Sequence, residues 1–119
     1  MKYPIIENVV FSEIDSQLDV NFFTNPDIDW FKGHFEKDPI LPGIASVSFV
    51  LEFLRQYMNI DLNYRKYTIP QLKFSKTVVP DRHYQCCIIK TGHEIKFRIS
   101  ELNTSAPTIV CSQGKINYE

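Results

Sequence analysis

Residues 30–55 read WFKGHFEKDPILPGIASVSFVLEFLR, and this stretch decides the fold. Its first half is a stiff loop. Pro39 and Pro42 fix φ and remove two backbone donors, while Gly33 and Gly43 supply backbone freedom. Its second half is the only long helical pattern in the chain. Pro42-Gly43 marks a helix start, because proline is tolerated in the first turn and unpaired N–H groups follow it. The predicted helix runs from Gly43 to Met58. On a helical wheel Ser48, Glu52, Arg55, Gln56 and Asn59 share one arc. Ile44, Val47, Phe49, Val50, Leu51, Phe53, Leu54, Tyr57 and Met58 fill most of the rest. So wide an apolar arc predicts a helix that is nearly engulfed, which a curved sheet achieves and a single flat partner does not. A histidine on a rigid loop that runs into such a helix can hold a base beside a helix N-terminus.

Outward from the helix, the flanks read as strands. Pro4 to Ser12 is apolar and β-branched, and Gln17 to Thr24 alternates with Leu18, Val20 and Phe22 on one face. With the EIDS turn between them they form a hairpin, which Asn25-Pro26-Asp27 ends. Asp29 to Gly33 has room for one helical turn. After the helix, residues 59–63 read as loop. Four strand-like segments follow: Lys66 to Thr77, His83 to Thr91, Glu94 to Leu102 and Thr108 to Asn117. The turn chemistry of Val79-Pro80-Asp81, Thr91-Gly92-His93 and Asn103 to Pro107 separates them, and the spacing predicts an antiparallel meander. Two strands, one helix and four strands give an α+β domain, with a curved antiparallel sheet of about six strands wrapped around a long central helix. No repeat or linker interrupts it, so residues 1–119 read as a single domain.

Composition sets the outer limits. The 119 residues are 44% hydrophobic and 13% aromatic, which fits one folded domain with a modest core. A net charge of −1 offers no basic footprint for nucleic acid. No apolar run is long enough to span a membrane, and the start MKYPIIENVVFSEI does not read as a secretory signal. Three cysteines, with Cys86 and Cys87 adjacent and so on opposite faces of a strand, read as reduced thiols in a cytoplasmic protein. The three histidines and three cysteines show no metal-ligand spacing, so no metal is expected. His83 and His93 sit at strand ends and read as surface residues.

The loop carries a resemblance. Phe31, Gly33, His34, Phe35, Pro39, Pro42 and Gly43 stand at the spacing of the active-site loop of the hotdog-fold 3-hydroxyacyl-acyl carrier protein dehydratases. Gln71-Leu72-Lys73-Phe74, the Val79-Pro80 turn and Ser112-Gln113-Gly114-Lys115-Ile116 resemble later parts of the same family. Trp30-Phe31 ahead of Gly33-His34-Phe35, the Leu-Pro-Gly at 41–43 and that last strand are similar to the variant dehydratases of aryl-polyene-type pigment clusters. The resemblance covers nearly the whole chain and implies the hotdog fold. It departs at two places: Glu36 replaces the proline after His-Phe, and Ser48 stands where the family carries a carboxylate.

The resemblance implies a lyase of lipid metabolism, a dehydratase of fatty-acid or polyene-type biosynthesis. The substrate would be a 3-hydroxyacyl thioester on the phosphopantetheine of an acyl carrier protein, with no cofactor of the dehydratase's own. His34 is the candidate base, since a neutral imidazole is available near pH 7. Gly43 is the candidate oxyanion donor, because its N–H opens the helix at the positive end of the dipole. Phe35, Pro42 and Ile44 are candidate substrate contacts. Ser48 holds the position of the family acid, and Glu52, one turn later, is the alternative. Lys66, Lys73, Lys76 and Arg82 could steer an acidic carrier protein. The wide apolar arc and a family site built between subunits imply a homodimer, or a heterodimer with a related dehydratase. A second reading is a non-catalytic or weakened hotdog subunit that binds carrier protein or a partner dehydratase. A third, less favoured, is an acyl thioesterase.

Overall fold

A computed structural model of the protein describes residues 2–31, 41–102 and 108–119. Six strands form one antiparallel sheet: β1 (Ile5–Ser12), β2 (Gln17–Phe23), β3 (Tyr67–Phe74), β4 (His83–Thr91), β5 (Glu94–Glu101) and β6 (Ile109–Tyr118). Among the described residues a single α-helix, α1, spans Gly43–Met58, the bounds its sequence predicts. The Asp29–Phe31 segment forms one 3-10 turn, and Leu62–Tyr64, read as loop, forms another. α1 ends at Asn59, whose left-handed φ of 56° lets the chain turn back. No helix among the described residues is long and apolar enough to cross a membrane.

Strand order corrects the meander. The sheet runs β1-β2-β4-β5-β6-β3, so of the four strands after the helix only β4, β5 and β6 follow one another, and β3 pairs with β6 at the far edge. β4 lies against β2, with Val20 opposite Cys86 and Phe22 opposite Tyr84. The chain must therefore cross from one edge of the sheet to its middle between residues 75 and 82. β3 is also shorter than the Lys66 to Thr77 segment suggests. The N–H groups of Ser75 and Lys76 both turn to the Cys111 carbonyl, at 2.8 and 3.1 Å, and that ends the ladder.

Thr24 pins the far end of this crossing. It is fully buried, and its hydroxyl donates to the Val79 carbonyl at 2.7 Å and accepts from the Arg82 N–H at 3.2 Å. Its backbone bonds the same turn twice, through Arg82 O and Asp81 N–H. The Tyr84 hydroxyl accepts from the Val79 N–H at 3.0 Å. Burial raises that phenol's pKa, which keeps it a neutral partner.

The core lies between the concave sheet face and α1. Leu18, Val20 and Phe22 from β2, Tyr84, Cys86 and Ile88 from β4, and Ile95 and Ile99 from β5 meet Phe49, Val50, Phe53 and Leu54 from α1. Phe22 is the hub, with ring centroids 6.1 Å from Phe49, 5.7 Å from Phe53 and 5.8 Å from Tyr84. The helix is less engulfed than its apolar arc predicts. Ile44 is 64% exposed and Leu51, Tyr57 and Met58 are only partly covered, while Ser46, outside the polar arc, is buried. A sheet covers one side of a helix, and here the opposite side carries the surplus apolar residues outward. Cys86 and Cys87 point to opposite faces, and all three cysteines are free.

Candidate active site

The start of α1 decides the local electrostatics. Pro42 stands at the N-cap with φ −57° and ψ 143°, and no side chain among the described residues caps the helix. The first turn contains no acidic residue. The positive end of the dipole is therefore left to whatever occupies the space in front of it. Leu41 fixes the approach by donating its N–H to the Val78 carbonyl at 2.7 Å. This ties the loop that enters α1 to the segment that leaves β3.

A cavity of about 370 Å³ opens at that end of the helix. Pro42, Gly43 and Ser46 line it from α1, Phe74 and Val78 from β3 and beyond, and Ser112 from β6. Two features bring these groups together. Phe74 sits opposite Ser112 in the β3–β6 ladder. The ring of Phe74 also fills the place where a side chain on Gly43 would stand: a Cβ there would lie 2.6–2.9 Å from three ring carbons. Gly43 is thus a close-approach glycine, and the group that approaches within this chain is an aromatic ring. Ser112 is 2% exposed, and its hydroxyl has no hydrogen-bond partner among the described residues.

The predicted site residues divide three ways. Pro42, Gly43 and Ile44 line the cavity. His34 and Phe35 lie outside the described residues, as do Gly33, Glu36, Asp38 and Pro39. Ser48 and Glu52 lie on α1, half-buried, and neither lines the cavity. Glu52 is engaged by Arg55, whose Nε donates to Glu52 Oε2 at 3.1 Å. That ion pair raises the Arg55 pKa. Among the described residues no group of three or more His, Cys, Asp or Glu is placed to hold a metal.

The four basic residues singled out for a carrier protein also divide. Lys76 Nζ and Arg82 Nη1 both bind Glu101, at 2.8 and 2.7 Å, and Glu101 itself is only 7% exposed. Those two cations compensate a buried carboxylate, and the bonds from Lys76 and then Arg82 hold its pKa below the ordinary value. Lys66 and Lys73 are exposed. Lys73 joins Lys96, Arg98 and Lys115 around a larger concavity of about 810 Å³ on the outer sheet face. Sequence reading missed this grouping, because only strand order places β3 beside β6 and β6 beside β5. It also missed Ser46, Phe74 and Ser112. A serine inside the apolar run IASVSFVL, three residues after the helix-opening glycine, was the available signal for Ser46.

The model of the ApeI-like family, described as ApeI dehydratase, matches residues 11–115. The chain belongs to the ApeI-like dehydratase family. Its structure is similar to that of a chain in the dehydratase heterocomplex ApeI:P from Xenorhabdus doucetiae, with a TM-score of 0.79 at 24% identity over 98% of this chain and 97% of that one. An uncharacterized protein from Erwinia carotovora subsp. atroseptica gives 0.78 at 24% identity, over 98% and 96%. The dehydratase domain of the polyketide PpsC from Mycobacterium tuberculosis gives 0.77 at 13% identity, covering 100% of this chain and 45% of that one. No curated protein matches the chain in sequence. The fold is the hotdog fold expected from the loop, and membership of the ApeI-like family gives the chain a dehydratase-like role.

Proposed function

We propose that this ApeI-like protein acts on a 3-hydroxyacyl thioester delivered on the phosphopantetheine of an acyl carrier protein, within a single domain of residues 1–119 and without a cofactor of its own. In the reaction His34 takes a proton from the carbon beside the carbonyl. The new carbon–carbon double bond forms as the C3–O bond breaks, and the hydroxyl leaves as water with the proton that His34 gives back, which returns the imidazole to its neutral form. The Gly43 N–H stabilises the thioester oxygen while charge builds on it. The observation that supports this most is the start of α1 facing a cavity, capped by no side chain among the described residues and with no acidic side chain in its first turn. The decisive assay is turnover of a 3-hydroxyacyl thioester by native protein and by His34→Ala. A loss of about 10²–10⁴-fold in a folded variant is expected, and unchanged turnover removes His34 from the chemistry.

A second reading has its own support. Ser48 replaces the carboxylate that the resemblance implies, and Glu52, the nearest substitute, is tied to Arg55. The similar chain from Xenorhabdus doucetiae belongs to a dehydratase heterocomplex. We therefore include a partner dehydratase, or a second copy of this chain, in the proposed assembly. Ile44, exposed on the outer side of α1, favours one. Sedimentation at micromolar concentration should show a species larger than one chain of 13.9 kDa. Carrier docking is proposed at Lys66 and Lys73, the two of the four predicted cations that Glu101 does not hold. Three free cysteines fit a cytoplasmic location.

A further inference from the structure

The cavity at the start of α1 has two kinds of polar wall, and they suit two different oxygens. The helix end offers only N–H donors, which match a carbonyl. Ser112, on β6, offers a hydroxyl, which both donates and accepts. That hydroxyl is almost wholly buried and has no partner among the described residues. A buried polar group without a partner is costly, and such groups in native proteins are nearly always paired. Register explains how it comes to be there. β6 carries a bulge opposite Ile99 and Ser100, so Cys111 and Ser112 are both buried in succession, where simple alternation would expose one of them. Ser112 keeps the alternation of Ile116 and Gly114 and so faces inward opposite Ile99, beside Phe74 and on the same cavity as Gly43 and Ser46, while the bulge buries Cys111 next to it.

We propose that Ser112 is a specificity-determining residue that pairs with the 3-hydroxyl of a bound acyl chain, while the helix end receives the thioester oxygen. The cavity then selects a hydroxylated acyl group over the plain saturated chain of equal length. The saturated chain would leave the Ser112 hydroxyl buried and unpaired, and a site built around a hydrogen bond discriminates strongly against a ligand that lacks the partner. This inference rests on the preceding reading only in placing an acyl thioester in this cavity. It assigns Ser112 no part in bond breaking.

The test is binding, so that turnover does not enter. The probes are the pantetheine amides of 3-hydroxybutanoic and butanoic acid, in which nitrogen replaces the thioester sulfur, titrated into the intact protein by calorimetry. Native protein should prefer the hydroxylated probe by about tenfold or more. Ser112→Ala should bind both alike, and Ser112→Cys, similar in size but a weak donor, should fall between them. Ser112→Ala should also melt no lower than native protein without ligand, whereas loss of a structural hydrogen bond would lower the melting temperature. Equal binding of both probes by native protein, a preference kept by Ser112→Ala, or no binding of either probe overturns the inference. If native protein turns over 3-hydroxyacyl thioesters but shows no preference, only the role of Ser112 falls. If the preference is present without turnover, the dehydratase reading falls and the role of Ser112 stands.

Discussion

Gly43 can be a packing glycine, an oxyanion glycine or both, and a double-mutant cycle with Phe74 separates the roles. Gly43 does not adopt a left-handed φ, so alanine fits its backbone. A Cβ there would stand 2.6 Å from the nearest Phe74 ring carbon, about 0.8 Å short of the 3.4 Å at which ordinary contact begins. Overpacking of this kind costs ~1–3 kcal/mol. Because Phe74 is 50% exposed and its ring can swing aside, the low end applies. Against that, replacing glycine with alanine at a compatible position gains ~0.5 kcal/mol through the unfolded chain. Gly43→Ala should therefore destabilise native protein by about 0.5 kcal/mol and stabilise Phe74→Ala by about the same, a coupling of about 1 kcal/mol. Chemical denaturation of the four proteins measures it. Turnover of a 3-hydroxyacyl thioester should behave differently. The added methyl stays beside the Gly43 N–H in both backgrounds, so a loss of up to ~10²-fold should persist in the double variant. Additive stabilities would refute the close approach of Phe74. Full recovery of turnover in the double variant would refute Gly43 as the oxyanion donor and leave it a packing residue.

Three further outcomes are expected. Ser48→Asp and Ser48→Glu should raise a weak native dehydration rate by restoring an acid. Each should cost only ~0.3–0.5 kcal/mol, since Glu52 follows one turn on as a like charge; native protein faster than both variants would place the acid elsewhere. Glu101 has a depressed folded pKa, so its stabilisation is present above its unfolded value of ~4.3 and is lost as pH falls through the folded pKa. Glu101→Gln should lower stability at pH 7 by ~1–2 kcal/mol, discounted for the exposure of Lys76 and Arg82, and should flatten the melting curve's dependence on pH below ~4.3; a parallel pH dependence in the two proteins would exclude the clamp. Gly114→Ala should cost ~1–3 kcal/mol, because its Cβ would lie 2.7 Å from both the Gln71 backbone oxygen and the Phe97 ring. An unchanged melting temperature would mean that β3 packs less tightly on β6.

The sequence made the elements legible and left the neighbours hidden. Pro42-Gly43 and the apolar run after it locate α1 to the residue, because capping and periodicity are local. Alternation in Leu18, Val20 and Phe22 likewise gives the buried face of β2. Where β3 lies is a different kind of fact. Its pairing with β6 depends on which edge closes over the helix, and nothing within Tyr67–Phe74 encodes that partner. The same gap hid Ser112 and the commitment of Lys76 and Arg82 to Glu101, which bring together residues distant along the chain. The helical wheel puts Ser48 on the polar arc of α1, where it lies half-buried, but a wheel does not show that the cavity opens instead beside Ser46.

Strand order also has a consequence for how the chain reaches this structure. The β1–β2 hairpin is complete within the first two dozen residues, yet its inner neighbour is β4, with Leu18 facing Ile88. During synthesis the hairpin must wait while α1 and β3 emerge, with Leu18, Val20 and Phe22 unpaired along one edge. Loop closure over so long a segment is slow compared with the local β4-β5-β6 meander. That meander should therefore form early and act as the template on which the waiting hairpin docks. Thr24 would lock last, since its bonds to Val79 and Arg82 exist only once β2 lies against β4. The interval before docking is when the protein is most open to pairing with the wrong strand, and truncation before β4 would leave a hairpin with no native partner.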